Sequence, residues 1–178
     1  MKVISGKYKG RKLLGFDING TRPTMDRVKE SLFAMIQNHL DSAIVLDLFC
    51  GSGALGIEAL SENSKYAYFV DKNLQAIKIT KKNLNNLGIN NAEIIKSDYL
   101  DYLEKTNNTF DIIFLDPPYN TNYISRALEL INKRNLLNEK GIIICETDQI
   151  DKVNNNRFTT IKERKYSDKY IVILEKIV

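Results

Sequence analysis

The most informative pattern in the chain is Asp47-Leu48-Phe49-Cys50-Gly51-Ser52-Gly53-Ala54-Leu55-Gly56, which overlaps the end of an apolar run at residues 44–48. The apolar run predicts a buried strand, and the glycines predict a tight turn before a helix over about 54–60. At such a turn the backbone approaches a ligand closely. The match to the GxGxxG pattern of dinucleotide sites is weak by itself. Asp47 favours a cationic sulfonium with an ammonium group, because a carboxylate there repels a pyrophosphate.

Outward from this loop, short apolar runs alternate with amphipathic segments. Further strands are predicted at residues 66–70, 93–96, 110–115 and 142–146, and a closing hairpin at 158–164 and 170–177. Helices are predicted from Pro23 to about Leu40 and over residues 73–87, 99–103 and 124–131. This alternation predicts an α/β fold, a mostly parallel sheet with helices on both faces and an antiparallel strand at one end. Residues 1–20 are predicted as a basic β-hairpin extension and residues 21–178 as the main domain.

Composition limits the class of protein. The chain has 178 residues, of which 43% are hydrophobic, enough for one globular domain. It has no apolar run of membrane-spanning length and no signal peptide, so we expect a cytoplasmic protein with no membrane partner. Cys50 and Cys145 form no CxxC pair, and we expect small buried side chains rather than a disulfide framework or a zinc site.

Charge is distributed unevenly along the chain. Residues 1–30 carry eight Lys/Arg and three Asp/Glu, and residues 151–178 carry seven and four. Residues 31–150 carry eleven Lys/Arg and fifteen Asp/Glu, so two basic ends flank an acidic middle. The pattern favours a polyanionic partner, and a lysine-rich solvated surface explains it equally well.

Two further acidic residues follow predicted strands. Asp71 ends the second strand, 24 residues after Asp47, where a carboxylate typically accepts hydrogen bonds from the ribose hydroxyls of a nucleoside. Asp98 follows the third strand and either accepts a hydrogen bond from an adenine amine or caps the helix that begins at Tyr99. The two roles of Asp98 are compatible.

The most specific motif is Asp116-Pro117-Pro118-Tyr119, directly after the fourth predicted strand. The exocyclic amine of a base is a poor nucleophile, because its lone pair is delocalised into the ring. Asp116 can accept one N–H of such an amine, and the rigid Pro-Pro backbone can present a carbonyl for the other. The carboxylate also stabilises the cationic nitrogen that forms, and Tyr119 can stack on an extruded base. The alternative is a proline-rich turn, in which Asp is a natural first residue.

In this order, these motifs resemble class I S-adenosylmethionine-dependent methyltransferases that act on amines. Two stretches narrow the resemblance: Ile4-Ser5-Gly6-Lys7-Tyr8-Lys9-Gly10-Arg11-Lys12-Leu13 and Arg22-Pro23-Thr24-Met25-Asp26-Arg27-Val28-Lys29-Glu30-Ser31-Leu32-Phe33. They are similar to the RsmD family of bacterial 16S ribosomal RNA guanine-N2 methyltransferases, over essentially the whole chain. The family typically has a second Thr where this chain has Met25, and commonly a Gly at the position of Ser167.

The resemblance implies a Rossmann-like, seven-stranded sheet and S-adenosyl-L-methionine as cofactor. It implies ribosomal RNA as partner, within an assembling small subunit, for a monomeric enzyme. The predicted catalytic residues are Asp116, Pro117, Pro118 and Tyr119. The predicted cofactor residues are Arg22, Thr24, Asp47, Phe49, Gly51, Ser52, Gly53, Asp71, Lys72, Asp98, Tyr99 and Asp116. The predicted RNA-binding residues are Lys7, Lys9, Arg11, Lys12, Arg22 and Arg27.

The motifs leave other functions open. A DNA adenine-N6 or cytosine-N4 methyltransferase can carry the same Asp-Pro-Pro-Tyr motif, although the chain has no room for the target-recognition domain usual in such enzymes. A nucleotide-binding or oxidoreductase module would use the GxGxxG match. The intact loop and motif argue against a non-catalytic RNA-binding protein. No metal is expected, because methyl transfer from a sulfonium has no step that needs a Lewis acid.

Overall fold

A computed structural model describes residues 1–15 and 23–177, where helices and strands alternate. The helices are α1 (Pro23–Met35), α2 (Gln37–Leu40), α3 (Ala54–Ser61), α4 (Leu74–Leu87), α5 (Tyr99–Lys105) and α6 (Tyr123–Lys133). The strands are β1 (Ile44–Asp47), β2 (Tyr66–Asp71), β3 (Ala92–Lys96), β4 (Phe110–Leu115), β5 (Leu137–Thr147), β6 (Phe158–Tyr166) and β7 (Lys169–Lys176). A short 3-10 helix covers Ile150–Val153. Among the described residues, no helix combines the length and apolarity that crossing a bilayer requires.

The strands form one seven-stranded sheet in the order β3-β2-β1-β4-β5-β7-β6. The pairs from β3 to β5 are parallel, and β7 is antiparallel to both β5 and β6. The predicted α/β fold with an antiparallel end is therefore confirmed. After β1 the chain builds outward through β2 and β3, and then returns to place β4 on the other side of β1. A ligand crevice is expected at the carboxyl ends of the strands beside such a reversal.

Alternate residues of each strand point to opposite faces of the sheet, and both faces are buried at the central strands, whereas the edge strands β3 and β6 are mostly partly buried or exposed. One face packs on α1, α3 and α4 through residues that include Val45, Phe69, Phe114, Ile144 and Ile173. The other packs on α5 and α6 through residues that include Leu46, Val70, Leu115, Cys145 and Val172. Each fully buried aliphatic side chain contributes roughly 1.5–3 kcal/mol. This packing fixes the register, so the carboxyl ends of the parallel strands lie at a common edge.

Two elements differ from the sequence predictions. Strand β5 begins at Leu137, five residues before the predicted start, because Leu137 pairs with Phe110 before a register shift brings Ile142 opposite Ile112. The polar residues 138–141 between them hide this extension in the sequence. The predicted helix from Pro23 to Leu40 is divided at Ile36, whose ψ of 11° departs from helical geometry.

In the described part of the N-terminal segment, residues 1–15, the two arms of the predicted hairpin pair through one antiparallel bridge, between Lys2 and Lys12. This segment packs against the end of α3, where Gly6 has φ +84° and lies so close to Ser61 that a Cβ would come within 1.9 Å of the Ser61 carbonyl oxygen. The buried carboxylate of Glu58 accepts hydrogen bonds from two backbone amides of this segment. The predicted boundary near residue 20 lies outside the described residues.

The β6–β7 turn leads to a first prediction, on stability. Ser167 has φ 53°, in the left-handed region that favours glycine. We expect Ser167→Gly to raise the free energy of unfolding by about 0.5–1 kcal/mol, because the left-handed conformation costs an L-residue more than glycine loses in chain entropy. Urea denaturation measures the change. The matched control Ser125→Gly, at an exposed position of helix α6, should lower stability, and a loss at both positions would contradict the prediction.

Candidate active site

A cavity of about 570 Å³ opens at the carboxyl edge of the sheet, beside the reversal of strand order. This volume is within the usual range for small-molecule sites. The segments after β1, β2 and β4 form its floor, and α1 forms part of its wall. Asp47, Asp71 and Asp116 all line the cavity, so three carboxylates from three strands face one space.

Asp47 is the most deeply buried of these carboxylates, with 1% of the residue exposed. Its Oδ2 accepts a hydrogen bond from the backbone N–H of Gly56, in the first turns of α3, at 3.0 Å. Burial and the nearby Asp71 charge raise the pKa of Asp47 to about 7, although the Gly56 hydrogen bond opposes the shift. A nearby cation would stabilise the ionised form of a carboxylate buried in this way, and the cationic ligand at Asp47 stays a prediction.

Asp71 holds the glycine loop in place. Its Oδ2 accepts from the N–H of Gly51 at 3.0 Å, and its Oδ1 accepts from the N–H of Asn73 at 2.9 Å. Gly51 has φ +55°, a conformation that bends the loop toward Asp71 with little strain. A carboxylate has about four acceptor positions, so Asp71 keeps capacity for ligand hydroxyls.

Three aromatic rings form an apolar wall of the cavity. Tyr99 lies 5.1 Å from Phe49 and 4.7 Å from Tyr123, measured between ring centroids. The Tyr99 hydroxyl is buried beside the Arg126 guanidinium, and burial, opposed by the Arg126 charge, raises the pKa of Tyr99. An apolar wall of this kind suits a flat heteroaromatic group such as a purine.

Asp98 lies just behind this wall. Its Oδ1 caps α5 by accepting from the backbone N–H groups of Leu100 at 2.9 Å and Asp101 at 3.2 Å. Ser97 and Tyr99, on either side of it, line the cavity. The helix-capping role that the sequence allowed is therefore present, and the hydrogen bond to an adenine amine stays a prediction.

Asp116 begins the turn after β4. Burial and the neighbouring Glu146 carboxylate raise the pKa of Asp116 well above its ordinary value, and the Lys169 ammonium opposes the shift. The next residues are rigid: Pro117 is buried, and the Pro118 carbonyl accepts from the Thr121 hydroxyl at 2.9 Å. The motif thus presents a half-buried carboxyl on a fixed backbone.

Two charged residues that the sequence analysis did not assign to the site lie near Asp116 in the cavity. Glu146 of β5 and Lys169 of β7 line the cavity and form an ion pair of 2.6 Å. Burial lowers the pKa of Lys169, but the hydrogen bond and charge of Glu146, helped by Tyr119 and Asp116, outweigh it and raise the pKa. Lys169 therefore carries its charge beside Asp116.

The structure brings most of the predicted cofactor and catalytic residues to the cavity. Those that line it are Asp47, Phe49, Gly51, Ser52, Asp71, Lys72, Tyr99, Asp116, Pro117 and Pro118. Gly53 lies behind the loop at the start of α3, and Tyr119 is 43% exposed at a neighbouring small hollow. Arg22 and the side chain of Thr24 lie outside the described residues. Tyr123 and Lys29 also line the cavity and were not predicted.

The predicted RNA-binding residues that the structure describes lie on the surface. Lys7, Lys9, Lys12 and Arg27 are exposed and do not line the cavity. The exposed Arg11 donates to the backbone carbonyl of Asn86 at 2.9 Å, which ties the segment to the end of α4. Their RNA contacts stay a prediction.

Comparison with known proteins identifies the family. A family model described as "Conserved hypothetical protein 95" matches residues 1–175. Ribosomal RNA small subunit methyltransferase D of Haemophilus influenzae is 37% identical over 92% of this chain and 88% of its own length. The chain belongs to the ribosomal RNA small subunit methyltransferase D family. It is a methyltransferase with S-adenosylmethionine as cofactor, as the sequence predicts.

Other relatives of this methyltransferase agree in sequence and fold. A Bacillus subtilis protein, YlbH, assigned as an rRNA methyltransferase, is 43% identical over 84% of this chain and 83% of its own length. The solved structure of an Escherichia coli protein assigned as a methyltransferase has a TM-score of 0.88 at 28% identity. The structural match covers 99% of this chain and 97% of the Escherichia coli protein. The fold is therefore shared from end to end.

The residues present fit this cofactor. Buried Asp47 supplies an anionic partner for a cation, Asp71 supplies acceptors for ribose hydroxyls, and the Phe49–Tyr99 wall fits an adenine ring. The chain thus offers an acidic end, a hydroxyl-binding loop and an apolar wall within one cavity.

A second prediction concerns the pH dependence of cofactor binding. Cationic S-adenosylmethionine favours ionised Asp47, whose pKa in the free protein is raised to about 7. Below that pH a proton must leave on binding, so we expect Kd to fall about tenfold per pH unit as pH rises toward 7 and then to level off. Calorimetry between pH 5.5 and 8.5 measures this slope. Asp47→Asn should bind more weakly at pH 8 and lose the slope, and an unchanged slope in that variant would assign the proton to another group.

Proposed function

We propose that this chain transfers a methyl group from S-adenosylmethionine to the exocyclic N2 amine of a guanine in small-subunit ribosomal RNA. The observation that carries the proposal is that Asp116 and buried Asp47 line the same cavity. Asp116 can accept a hydrogen bond from an amine there, while Asp47 lies at the cofactor end. The family name of the Haemophilus influenzae relative supports ribosomal RNA as the substrate. The resemblance of residues 4–13 and 22–33 to the RsmD family supports guanine N2 as the atom that is methylated.

The cofactor half of the cavity would be held by Asp47, Asp71, Phe49 and Tyr99. When bound, S-adenosylmethionine supplies a methyl group made electrophilic by its sulfonium. Asp47, buried without a described cationic partner, stabilises positive charge at that end of the cavity. Asp71 and the apolar wall orient the nucleoside, which sets the direction of approach for the acceptor amine.

The chain's own contribution to the chemistry lies in the Asp116 motif. Asp116 accepts one N–H of the amine, and the Pro117 carbonyl accepts the other, since the Pro118 carbonyl is engaged by Thr121. These hydrogen bonds localise the nitrogen lone pair for attack. The nitrogen becomes cationic as its bond to the methyl carbon forms and the carbon–sulfur bond breaks, with that electron pair returning to sulfur. The Asp116 carboxylate would stabilise the charge on nitrogen and then receive the surplus proton. Tyr119, exposed beside the motif, provides a face for the extruded base.

The basic surface provides the wider contact with RNA in this proposal. Exposed Lys7, Lys9, Lys12 and Arg27, with Arg11 and Arg22, meet backbone phosphates. The segment 1–20 then acts as an RNA-binding extension of a catalytic domain over 21–178. A small enzyme of this kind acts as a monomer in the cytoplasm, on a small subunit during assembly.

The test offers the protein radiolabelled S-adenosylmethionine and three acceptors: unmodified small-subunit particles, naked ribosomal RNA and duplex DNA. We expect label in the particles or the RNA, recovered as N2-methylguanosine after digestion. Label in DNA, or in another base, would overturn the proposed substrate and favour an adenine-N6 or other base-amine methyltransferase. A heat-inactivated sample measures non-enzymatic methylation.

A further inference from the structure

Three ionisable side chains stand side by side on neighbouring strands at the Asp116 corner. Leu115 of β4 pairs with Cys145 of β5, so the next residues, Asp116 and Glu146, are neighbours across these strands. Lys169 of β7 lies two residues along the strand from Ile171, the register partner of Glu146, and its ammonium reaches the Glu146 carboxylate diagonally at 2.6 Å. Asp116, Glu146 and Lys169 are each two residues along the chain from Phe114, Ile144 and Ile171, which pack on the α1 face of the sheet. Because alternate residues of a strand point to opposite faces, the three side chains lie on that same face. The three side chains therefore face the cavity in the order acceptor, acceptor, donor.

The Glu146–Lys169 pair is built into the cavity rather than placed on the surface. The two side chains are 16% and 26% exposed, and their charged atoms are 2.6 Å apart. A partly buried carboxylate has acceptor positions beyond one ammonium contact, and an ammonium has three donors. Each partner therefore keeps capacity for a group of the substrate that enters the cavity.

The edges of the bases that carry exocyclic amines differ in the atom next to the amine. Guanine presents the N2 amine, then the N1–H donor, then the O6 acceptor. In adenine the neighbour of the N6 amine is the N1 lone pair, and in cytosine the neighbour of the N4 amine is the N3 lone pair. With the amine at Asp116, a carboxylate beside it accepts from guanine N1–H but faces a lone pair in either other base.

We infer that Glu146 and Lys169 read the Watson–Crick edge of the target guanine, with Glu146 accepting from N1–H and Lys169 donating to O6. The inference rests on the proposed function and deepens it, because it gives a physical reason for guanine as the target. The three groups of guanine then meet the row Asp116, Glu146 and Lys169 in order. A base must leave its helix to present this edge, which agrees with a site at the bottom of a cavity.

The test compares guanine with 2-aminopurine at the methylated position of reconstituted small-subunit particles. 2-Aminopurine keeps the N2 amine, but it has a lone pair at N1 and no O6. We expect wild-type kcat/KM for 2-aminopurine to be lower by about 10⁴-fold, as for sites that hydrogen-bond a group the analogue lacks. In Glu146→Gln the amide can donate to N1 of 2-aminopurine, and its oxygen still accepts from guanine N1–H but without the negative charge. We expect guanine to lose about tenfold while 2-aminopurine loses nothing, so discrimination falls to about 10³-fold.

A charge swap separates base reading from a structural role of the ion pair. Glu146→Lys combined with Lys169→Glu keeps two opposite charges but changes the row to acceptor, donor, acceptor, which matches 2,6-diaminopurine. We expect the swapped enzyme to prefer 2,6-diaminopurine to guanine. The matched control is Lys176→Met, which removes another ammonium of β7. Lys176 donates to Asn135 Oδ1 at 2.7 Å and lines neither the cavity nor the small hollow, so its loss should leave base preference unchanged.

The outcomes are distinguishable. Equal losses for guanine and 2-aminopurine in Glu146→Gln, with guanine still preferred by the swapped enzyme, would overturn the inference. Equal wild-type rates on the two bases would overturn it as well and leave the proposed function standing. No wild-type methylation of guanine in any acceptor would overturn the proposed function itself. Melting temperature and cofactor Kd of each variant show that the fold and the cofactor half of the cavity are intact.

Discussion

Asp116→Ala lowers kcat for RNA methylation by about 10³-fold, in the range expected when a preorganised charge partner of the transition state is removed. The cofactor Kd changes little, because Asp47, Asp71 and the aromatic wall lie on other elements. The loss appears in kcat because Asp116 acts on a charge that develops only as the nitrogen takes the methyl. Single-turnover methylation and calorimetric cofactor binding on the same preparation measure the two effects separately.

Asp116→Asn is the matched control for this prediction. Its amide oxygen still accepts one N–H of the amine but provides no charge for the cationic nitrogen, so we expect an intermediate loss of about 10–10²-fold. The activity of this variant should also lose the rise with pH that ionisation of Asp116 gives the wild type, since burial raises the pKa of that carboxyl. If Asp116→Ala methylated RNA at the wild-type rate, the carboxyl would have no role in the chemistry.

The sequence predicts the sheet well because its signals are local. The central parallel strands β1 and β4 are apolar runs buried on both faces, and an acidic residue lies at or directly after the end of β1, β2 and β4. Asp47, Asp71 and Asp116 therefore meet in space although they lie far apart in the chain. Their meeting follows from the topology alone, because the carboxyl ends of parallel strands lie together.

Contacts that depend on antiparallel pairing or on helix packing could not be predicted in the same way. Glu146 reaches Lys169 because β7 runs antiparallel to β5, and nothing in the sequence fixes that register in advance. Asn83, buried on α4, joins Leu14 of the N-terminal segment to Ser52 of the glycine loop. In the sequence, Asn83 is one of several polar residues of a predicted helix, and nothing there indicates that it is buried.

Glu58 is a residue for which a usable signal existed. It lies in the apolar stretch Ala54–Ser61, between Ile57 and Ala59, and a charge surrounded by apolar residues on a short helix needs a buried partner. The partner is Lys29 of α1, whose Nζ lies 3.1 Å from the Glu58 carboxylate. Finding it required the packing of α1 over α3, which helical periodicity alone does not specify.

Glu58→Gln is the substitution with the largest expected effect on stability. Both side chains of the pair are almost fully buried, at 6% for Lys29 and 1% for Glu58, so the substitution leaves the Lys29 ammonium without an opposite charge. We expect the free energy of unfolding to fall by about 3–5 kcal/mol. For a domain of this size the melting temperature then falls by roughly 10 °C. Calorimetric unfolding measures both quantities.

The controls separate the loss of charge from the loss of shape. The same substitution at exposed Glu129 should change stability by less than about 0.5 kcal/mol. Glu58→Gln combined with Lys29→Met removes both charges and should be more stable than Glu58→Gln alone, which measures the coupling of the pair. A double variant no more stable than the single one would show that the ion pair does not determine the effect.

The same substitution connects stability to RNA binding. The Glu58 carboxylate accepts from the N–H groups of Ile4 at 2.9 Å and Ser5 at 3.1 Å, and Lys29 donates to the Lys2 carbonyl at 2.7 Å. Loss of the pair therefore loosens the segment that carries the basic residues proposed to meet RNA. We expect KM for the RNA acceptor to rise in Glu58→Gln below its melting temperature by a larger factor than the cofactor Kd. Lys29 lines the cofactor cavity and Gly56 of α3 donates to Asp47, but Asp47 and Asp71 keep their places on β1 and β2. An unchanged KM in a destabilised variant would limit the ion pair to folding and remove the N-terminal segment from the RNA site.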